Sequence, residues 1–199
     1  MQKVEGSSPF IRFSQPDDEA IVSDLERYKP WLWYDSGERF YAESIEGTAD
    51  VIYGRVVTQG ADAWLQFWTW YTMNWSPLIG RHQGDWEGIQ IKLDPGPVSA
   101  VYAQHARGER ASWDTIEKHD GRPVVYVANG SHASYLAPGW HRHLERANGK
   151  GRHVDPQLVV MPEQGWPMRP GRWGANKHSP ASPGHQWRWR EPSSWAAYV

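Results

Sequence analysis

At 199 residues, with 21 Lys and Arg against 23 Asp and Glu, the chain carries a formal charge of -2 and no basic excess for nucleic acid. It has no cysteine, which excludes disulfides, thiolate metal sites and thiol nucleophiles. No stretch is long and apolar enough to span a bilayer as a helix, and the start lacks the apolar run of a signal peptide, so the expectation is a cytoplasmic chain, or a secreted one if a signal has been removed.

Aromatic residues make up 14% of the chain, with 14 Trp, 9 Tyr and 4 Phe. Most such rings fill cores, because each buries a large area. Lining a groove for a sugar or a lipid headgroup is the second use for them.

In chain order, "SQPDDEAIVSDLERYKP" predicts a helix over residues 16–28. Ser14 or Gln15 precedes Pro16, acidic residues fill the first turn, and Lys29-Pro30 stops it. "WLWYDSGERFYAES" predicts two short strands around a Ser36-Gly37 turn. "DVIYGRVVTQ", "AWLQFWTWYTMNW", "WEGIQIKL", "PVSAVYAQH" and "PVVYVAN" are β-branched and aromatic runs separated by Gly, Pro and Asp, and read as strands. "DTIEKHDGRP" reads as a helical turn or loop between two of them. No internal repeat is present.

From Pro162 onward Pro, Gly, Trp and Arg dominate. Prolines this frequent exclude central strands, while five tryptophans argue against free disorder. An ordered but irregular wrap, pinned by Trp166, Trp173 and Trp187, is expected; a flexible arm that orders on a partner is the alternative. Strands at short intervals without intervening helices give the fold class: mainly β, a single-domain antiparallel β-sandwich with a short N-terminal helix and an irregular Pro/Trp-rich C-terminal wrap. The divisions are an N-terminal arm and helix at 1–29, a sandwich core at 30–161 and the wrap at 162–199.

"RHQGDWEGIQIKLD" carries the chemistry. Strand alternation puts Asp85, Glu87, Ile89, Ile91 and Leu93 on one side and Trp86, Gly88, Gln90 and Lys92 on the other. If the isoleucines face a core, two carboxylates face it too, and something positive must sit between them. His82, Asp85 and Glu87 suit a divalent cation: Ca or Mg first, with Mn or Zn as alternatives. An ion pair with Arg81 or Arg55 is the competing reading, and His-x-x-Asp-x-Glu is not specific by itself. Asn74, His105 and His132 close neighbouring strands and can meet at the same rim. His119, His178 and His185 read as surface residues. His141 and His143 in "GWHRHLER" read as a solvated loop before a metal pair.

In order along residues 28–185, "YDSGERFYAES", "HQGDWEGIQI", "PVSAVYAQH", "PVVYVANGSHASYL" and "GRWG" with a following "SP" resemble the vacuolar protein sorting-associated protein sixty-two family. More distantly, Arg81-His82-Gln83-Gly84-Asp85-Trp86-Glu87 is similar to the Gly-His-Arg-His-Asp-Trp-Glu hallmark of the necrosis- and ethylene-inducing-peptide-like proteins, secreted β-sandwich cytolysins. That resemblance implies metal-binding roles for His82, Asp85 and Glu87, with Asn74 where the cytolysins carry a further acidic ligand. Gly84 replaces their second His, and their cysteines and secretion signal are missing.

The function expected is divalent-metal-dependent binding of a small molecule, glycan or lipid headgroup that is hydroxyl-rich or anionic, with peripheral membrane contact allowed and no nucleic-acid partner. The alternative is a metal-dependent hydrolase or lyase using His105 or His132 as general acid or base.

Overall fold

The computed structural model describes residues 15–76, 80–105 and 107–198. Most of the expected N-terminal arm, including Ser14 as a helix start, lies outside the described residues. Helix α1 (Gln15–Tyr28) stops ahead of Pro30, which cannot continue it. The strands that follow are β1 (Trp31–Tyr34), β2 (Val51–Gln59), β3 (Asp62–Ser76), β4 (Gly80–Asp94), β5 (Gly96–Gln104) and β6 (Arg107–Ser112). After them come β7 (Lys118–His119), β8 (Arg122–Val127), β9 (Ser134–Tyr135), β10 (Gly139–Trp140), β11 (Arg146–Ala147), β12 (His153–Val154) and β13 (Gln157–Val160). Two short helices, α2 (Trp187–Arg190) and α3 (Pro192–Tyr198), close the chain.

A six-stranded sheet in the order β13-β2-β3-β4-β5-β6 faces a smaller one in the order β12-β1-β8-β7, with β9 alongside β8. The core lies between them. Leu65, Phe67, Ile89, Ile91 and Tyr102 from the large sheet meet Leu32, Val125, Val127 and Val154 from the small one, with Leu25 of α1 closing the layer. Neighbouring strands are antiparallel except for β1 beside β8 and β13 beside β2, which run parallel.

The outer face of the large sheet accounts for the tryptophan excess. Trp64, Trp68 and Trp70 of β3 and Trp86 of β4 alternate away from the core and are at most 7% exposed. The C-terminal segment covers them, with Trp166, Trp173 and Trp189 on one cluster and Trp195 on another. Trp166 and Trp173 thus sit where the sequence put them. Trp187 is 36% exposed, and Trp189 and Trp195 hold the segment down instead. The segment is also less irregular than expected, since α2 and α3 form after Pro183, with Pro192 at the first position of α3.

Two local expectations fail for physical reasons. The second strand of "WLWYDSGERFYAES" is absent apart from isolated bridges at Glu43. The Asp35 carboxylate accepts from the Gly37 and Asn148 amides and from Arg146, and Glu38 accepts from Arg39 N and Phe40 N, so side chains take the amides a hairpin would use. "DTIEKHDGRP" turns tightly at Asp120-Gly121, and β7 pairs with β8 as a two-residue ladder.

Candidate functional site

The site forms where β4 loses a neighbour. β3 keeps one register with β4 from Ala63–Leu93 to Ser76–Gly80, skipping only Thr72 and Gly84, and places Asn74 opposite His82, Tyr71 opposite Asp85 and Thr69 opposite Glu87. β5 pairs with β4 only from Ile89 onward. Between His82 and Glu87 one edge of β4 is therefore open, and α2 fills it. Arg188 donates through Nη2 to the Trp86 carbonyl at 2.7 Å and to Gln186 Oε1 at 2.9 Å, and through Nη1 to Glu87 Oε2 at 3.0 Å.

Gly84 explains how a three-residue spacing serves one site. On a regular strand His82 and Asp85 would point to opposite faces. Gly84, at φ 74°, interrupts the alternation. A Cβ there would also collide with the Trp173 carbonyl and the Trp70 ring, so no side chain fits under the C-terminal segment.

Asn74, His82, Asp85, Glu87, His105 and Arg188 line one cavity of about 300 Å³ at this rim. His178, expected on the surface, is exposed but lines the same cavity. Asp85 Oδ2 accepts from Asn74 Nδ2 at 2.8 Å and from His132 Nδ1 at 3.0 Å. His132 does not line the cavity: it is fully buried behind Asp85, stacked on Tyr71 at 3.8 Å, with Nε2 at 3.7 Å from Glu38 Oε1. Burial opposes its charge, but the Asp85 and Glu38 carboxylates outweigh that and raise it to about 9.

His105 is held differently. Its Nε2 donates to Glu145 Oε1 at 2.7 Å, and Tyr135 donates its hydroxyl to Glu145 Oε2 at 2.5 Å. Burial works against the imidazolium, yet Glu145 with help from Glu87 raises it to about 8. Both histidines sit in the left-handed region, at φ 57° and 56°, a strained backbone that their carboxylate partners hold in place. Burial raises the Glu87 carboxyl above the usual range, and Arg188 opposes that without cancelling it.

The sequence's arginine alternative is thus right in kind and wrong in residue. Arg188, not Arg81 or Arg55, pairs with Glu87; Arg55 pairs with Glu163 and lies 3.5 Å over the Trp189 ring. Among the described residues no group of three His, Asp or Glu side chains is close enough to hold an ion as it stands. The donor chemistry nevertheless suits a cation on two counts. Asn74 Oδ1 is buried with no hydrogen-bond partner. His82 donates Nδ1–H to the Gly84 carbonyl at 2.9 Å, which leaves Nε2 as the available ring nitrogen. His141 stacks on Tyr135 at 3.6 Å while His143 is exposed.

No protein-family model matches the chain. It is 25% identical over 216 residues to vacuolar protein sorting-associated protein 62 of Saccharomyces cerevisiae, covering 83% of this chain and 45% of that protein. It is 28% identical over 149 residues to TDA6 of the same yeast, covering 61% of this chain and 31% of that protein. The chain therefore spans less than half the length of either curated relative. Among solved structures it is similar to one described as a toxin fold for microbial attack and plant defense, at TM-score 0.52 and 13% identity over 69% of this chain and 72% of that one. NLPPya in complex with mannosamine matches at TM-score 0.52 and 14% identity, and its glucosamine complex at 0.51 and 16%, each over 74% of this chain and 76% of that one. The chain is thus similar in sequence to the yeast vacuolar sorting-associated proteins and has the β-rich fold of the necrosis- and ethylene-inducing-peptide-like proteins.

Proposed function

We propose that the rim cavity binds a hydroxyl-rich or anionic ligand, a glycan or lipid headgroup, with a divalent cation held by Asn74, His82 and Asp85. The observation that carries this reading is the unpartnered, buried Asn74 Oδ1 beside the free Nε2 of His82 and the Asp85 carboxylate, all at one cavity. An orphaned buried acceptor costs stability unless a ligand uses it. When bound, the cation would offer open coordination positions to ligand oxygens; Ca or Mg suits this oxygen-rich set better than Mn or Zn. Glu87 would join only if Arg188 moved off it. The hexosamines in the two NLPPya complexes support a sugar as the ligand.

Around that centre the chain supplies donors. His105 is charged up to about pH 8, so it donates to a ligand oxygen at neutral pH, and Arg188 adds a second cationic donor. This arrangement favours binding over hydrolase or lyase chemistry. His132 is shut behind Asp85, and among the described residues those lining the cavity include no Ser, Thr, Cys or Lys nucleophile.

Calorimetric titration of glucosamine and of a mixed glycan panel, with CaCl2 and then with EDTA, tests the reading. The expected result is sugar binding that requires the cation and is lost in Asp85→Asn. Binding indifferent to EDTA would remove the cation from the account, and a panel without any binder would remove the glycan.

A further inference from the structure

The buried row Asp85, His132, Glu38 separates two cavities. Asp85 lines the rim site, and Glu38 lines a second cavity of about 470 Å³ with Arg39, Phe40, Trp75, Arg81 and Asn129. That volume lies within the roughly 300–1,000 Å³ typical of small-molecule sites.

The second cavity is cationic in effect. Among the described residues Glu38 is the one acidic residue lining it, and its carboxylate is already used. Oε1 accepts from Arg39 N at 2.7 Å and Phe40 N at 2.8 Å, Oε2 accepts from Gly130 N at 2.5 Å, and the His132 ring lies behind it. Arg39 and Arg81 are exposed and have no carboxylate partner among the described residues. Two unpaired guanidiniums at one cavity match a carboxylate or phosphate group.

The same cavity presents a ring. Trp75 is 53% exposed at the end of β3, although the other three tryptophans of that strand are buried. Its backbone is pinned: Trp75 N donates to the Gly130 carbonyl at 2.6 Å. Gly130 has φ 74°, and a Cβ there would collide with the Trp75 carbonyl and stand 3.2 Å from ring atom Cε3, so this approach requires glycine. The strand end carrying the indole is thus held by the main chain while the ring surface stays open to a ligand. Trp75 stacks on no other ring among the described residues. Asn129 adds an amide able to donate and accept at hydroxyl groups.

A neutral sugar would leave both guanidiniums unanswered, and inorganic phosphate would leave the Trp75 and Phe40 surfaces unused. We propose that this second cavity binds an acidic saccharide, a pyranose whose CH face lies on Trp75 and whose carboxylate or phosphate lies between Arg39 and Arg81. The site stands independently of the cation at the rim.

Titration calorimetry of the full chain with glucuronic acid, a glucose phosphate, glucose, inorganic phosphate and AMP tests it. Glucuronic acid or the glucose phosphate should bind, with glucose and inorganic phosphate each weaker by about tenfold or more. Trp75→Ala and Arg81→Gln should each weaken binding about tenfold without a change in melting temperature, since both side chains are exposed. EDTA and His82→Gln should leave this binding unchanged, which separates it from any failure of the rim reading. Equal affinity for glucose, tighter binding of AMP, no binding of either acid, loss in EDTA, or an undiminished affinity in both variants would each overturn the proposal.

Discussion

From Ile89 to Leu93, β4 has β3 on one edge and β5 on the other, and Ile89 and Ile91 are 3% and 0% exposed in the core. From Arg81 to Gly88 the same strand keeps β3 but has lost β5, and its inward side chains Asp85 and Glu87 meet His132 and Arg188 instead. Alternation alone does not separate the two halves, since all four residues point the same way. The sheet edge does. Where both edges are paired, the inward face can be dry and apolar. Where one edge opens, ionic groups from distant segments enter, bond the freed carbonyl of Trp86 and leave a cavity beside the carboxylates.

That contrast can be broken most forcefully from the apolar half. Ile91→Ala should lower the unfolding free energy by about 2–5 kcal/mol through lost burial and a residual cavity, read by urea denaturation. A loss below about 1 kcal/mol would mean that this half is not the closed core described.

In the ionic half, Arg188→Gln should cost about 3 kcal/mol, because it strands a buried Glu87 carboxylate beside Asp85. Adding Glu87→Gln should recover much of the loss, since the charge then goes with its partner. A double-mutant cycle with no coupling between the two sites would remove Arg188 from its place at the open edge.

The His105–Glu145 pair gives a smaller, pH-dependent effect. Folding raises His105 from 6.5 to about 8, so its contribution is fully present below about pH 6.5 and disappears as pH rises through about 8. The groups setting the shift are Glu145, Glu87 and Asp85. The His105 share of the loss should therefore be about 2 kcal/mol across that interval, on top of the loss from His132, and Glu145→Gln should flatten the slope by that share. Parallel melting curves for wild type and variant between pH 6 and 9 would count against the pair.

The two halves also differ in how far they can be read from sequence. The apolar half is legible because Ile89, Ile91 and Leu93 alternate with polar residues, and β3 and β5 carry the same kind of signal. The rim is half legible. Asn74 and His105 stand at strand ends, His82, Asp85 and Glu87 lie in the polar half of β4, and the structure brings all five to one cavity. Their partners are not legible, because Arg188, Glu145 and Glu38 come from segments without periodicity. Arg188 reaches Glu87 across 101 residues of sequence, and only the tertiary fold selects it over Arg81 or Arg55. The parallel pairing of β13 with β2 was likewise hidden, since "QLVV" is too short to show a period. The left-handed conformation of His105 and His132 has no marker in sequence, where glycine or asparagine would have given one.

We propose that the open half of β4 holds a cation at Asn74, His82 and Asp85. Melting curves of the wild type and Asp85→Asn, with CaCl2 and then with excess EDTA, test it most directly. At a hundredfold excess over the dissociation constant, the cation should add about 2.7 kcal/mol to the wild type, seen as a higher melting temperature that EDTA reverses and Asp85→Asn abolishes. A wild-type melting temperature that ignores calcium, magnesium and EDTA alike would contradict the claim and leave Asp85 and Glu87 as ion-pair partners of His132 and Arg188 alone.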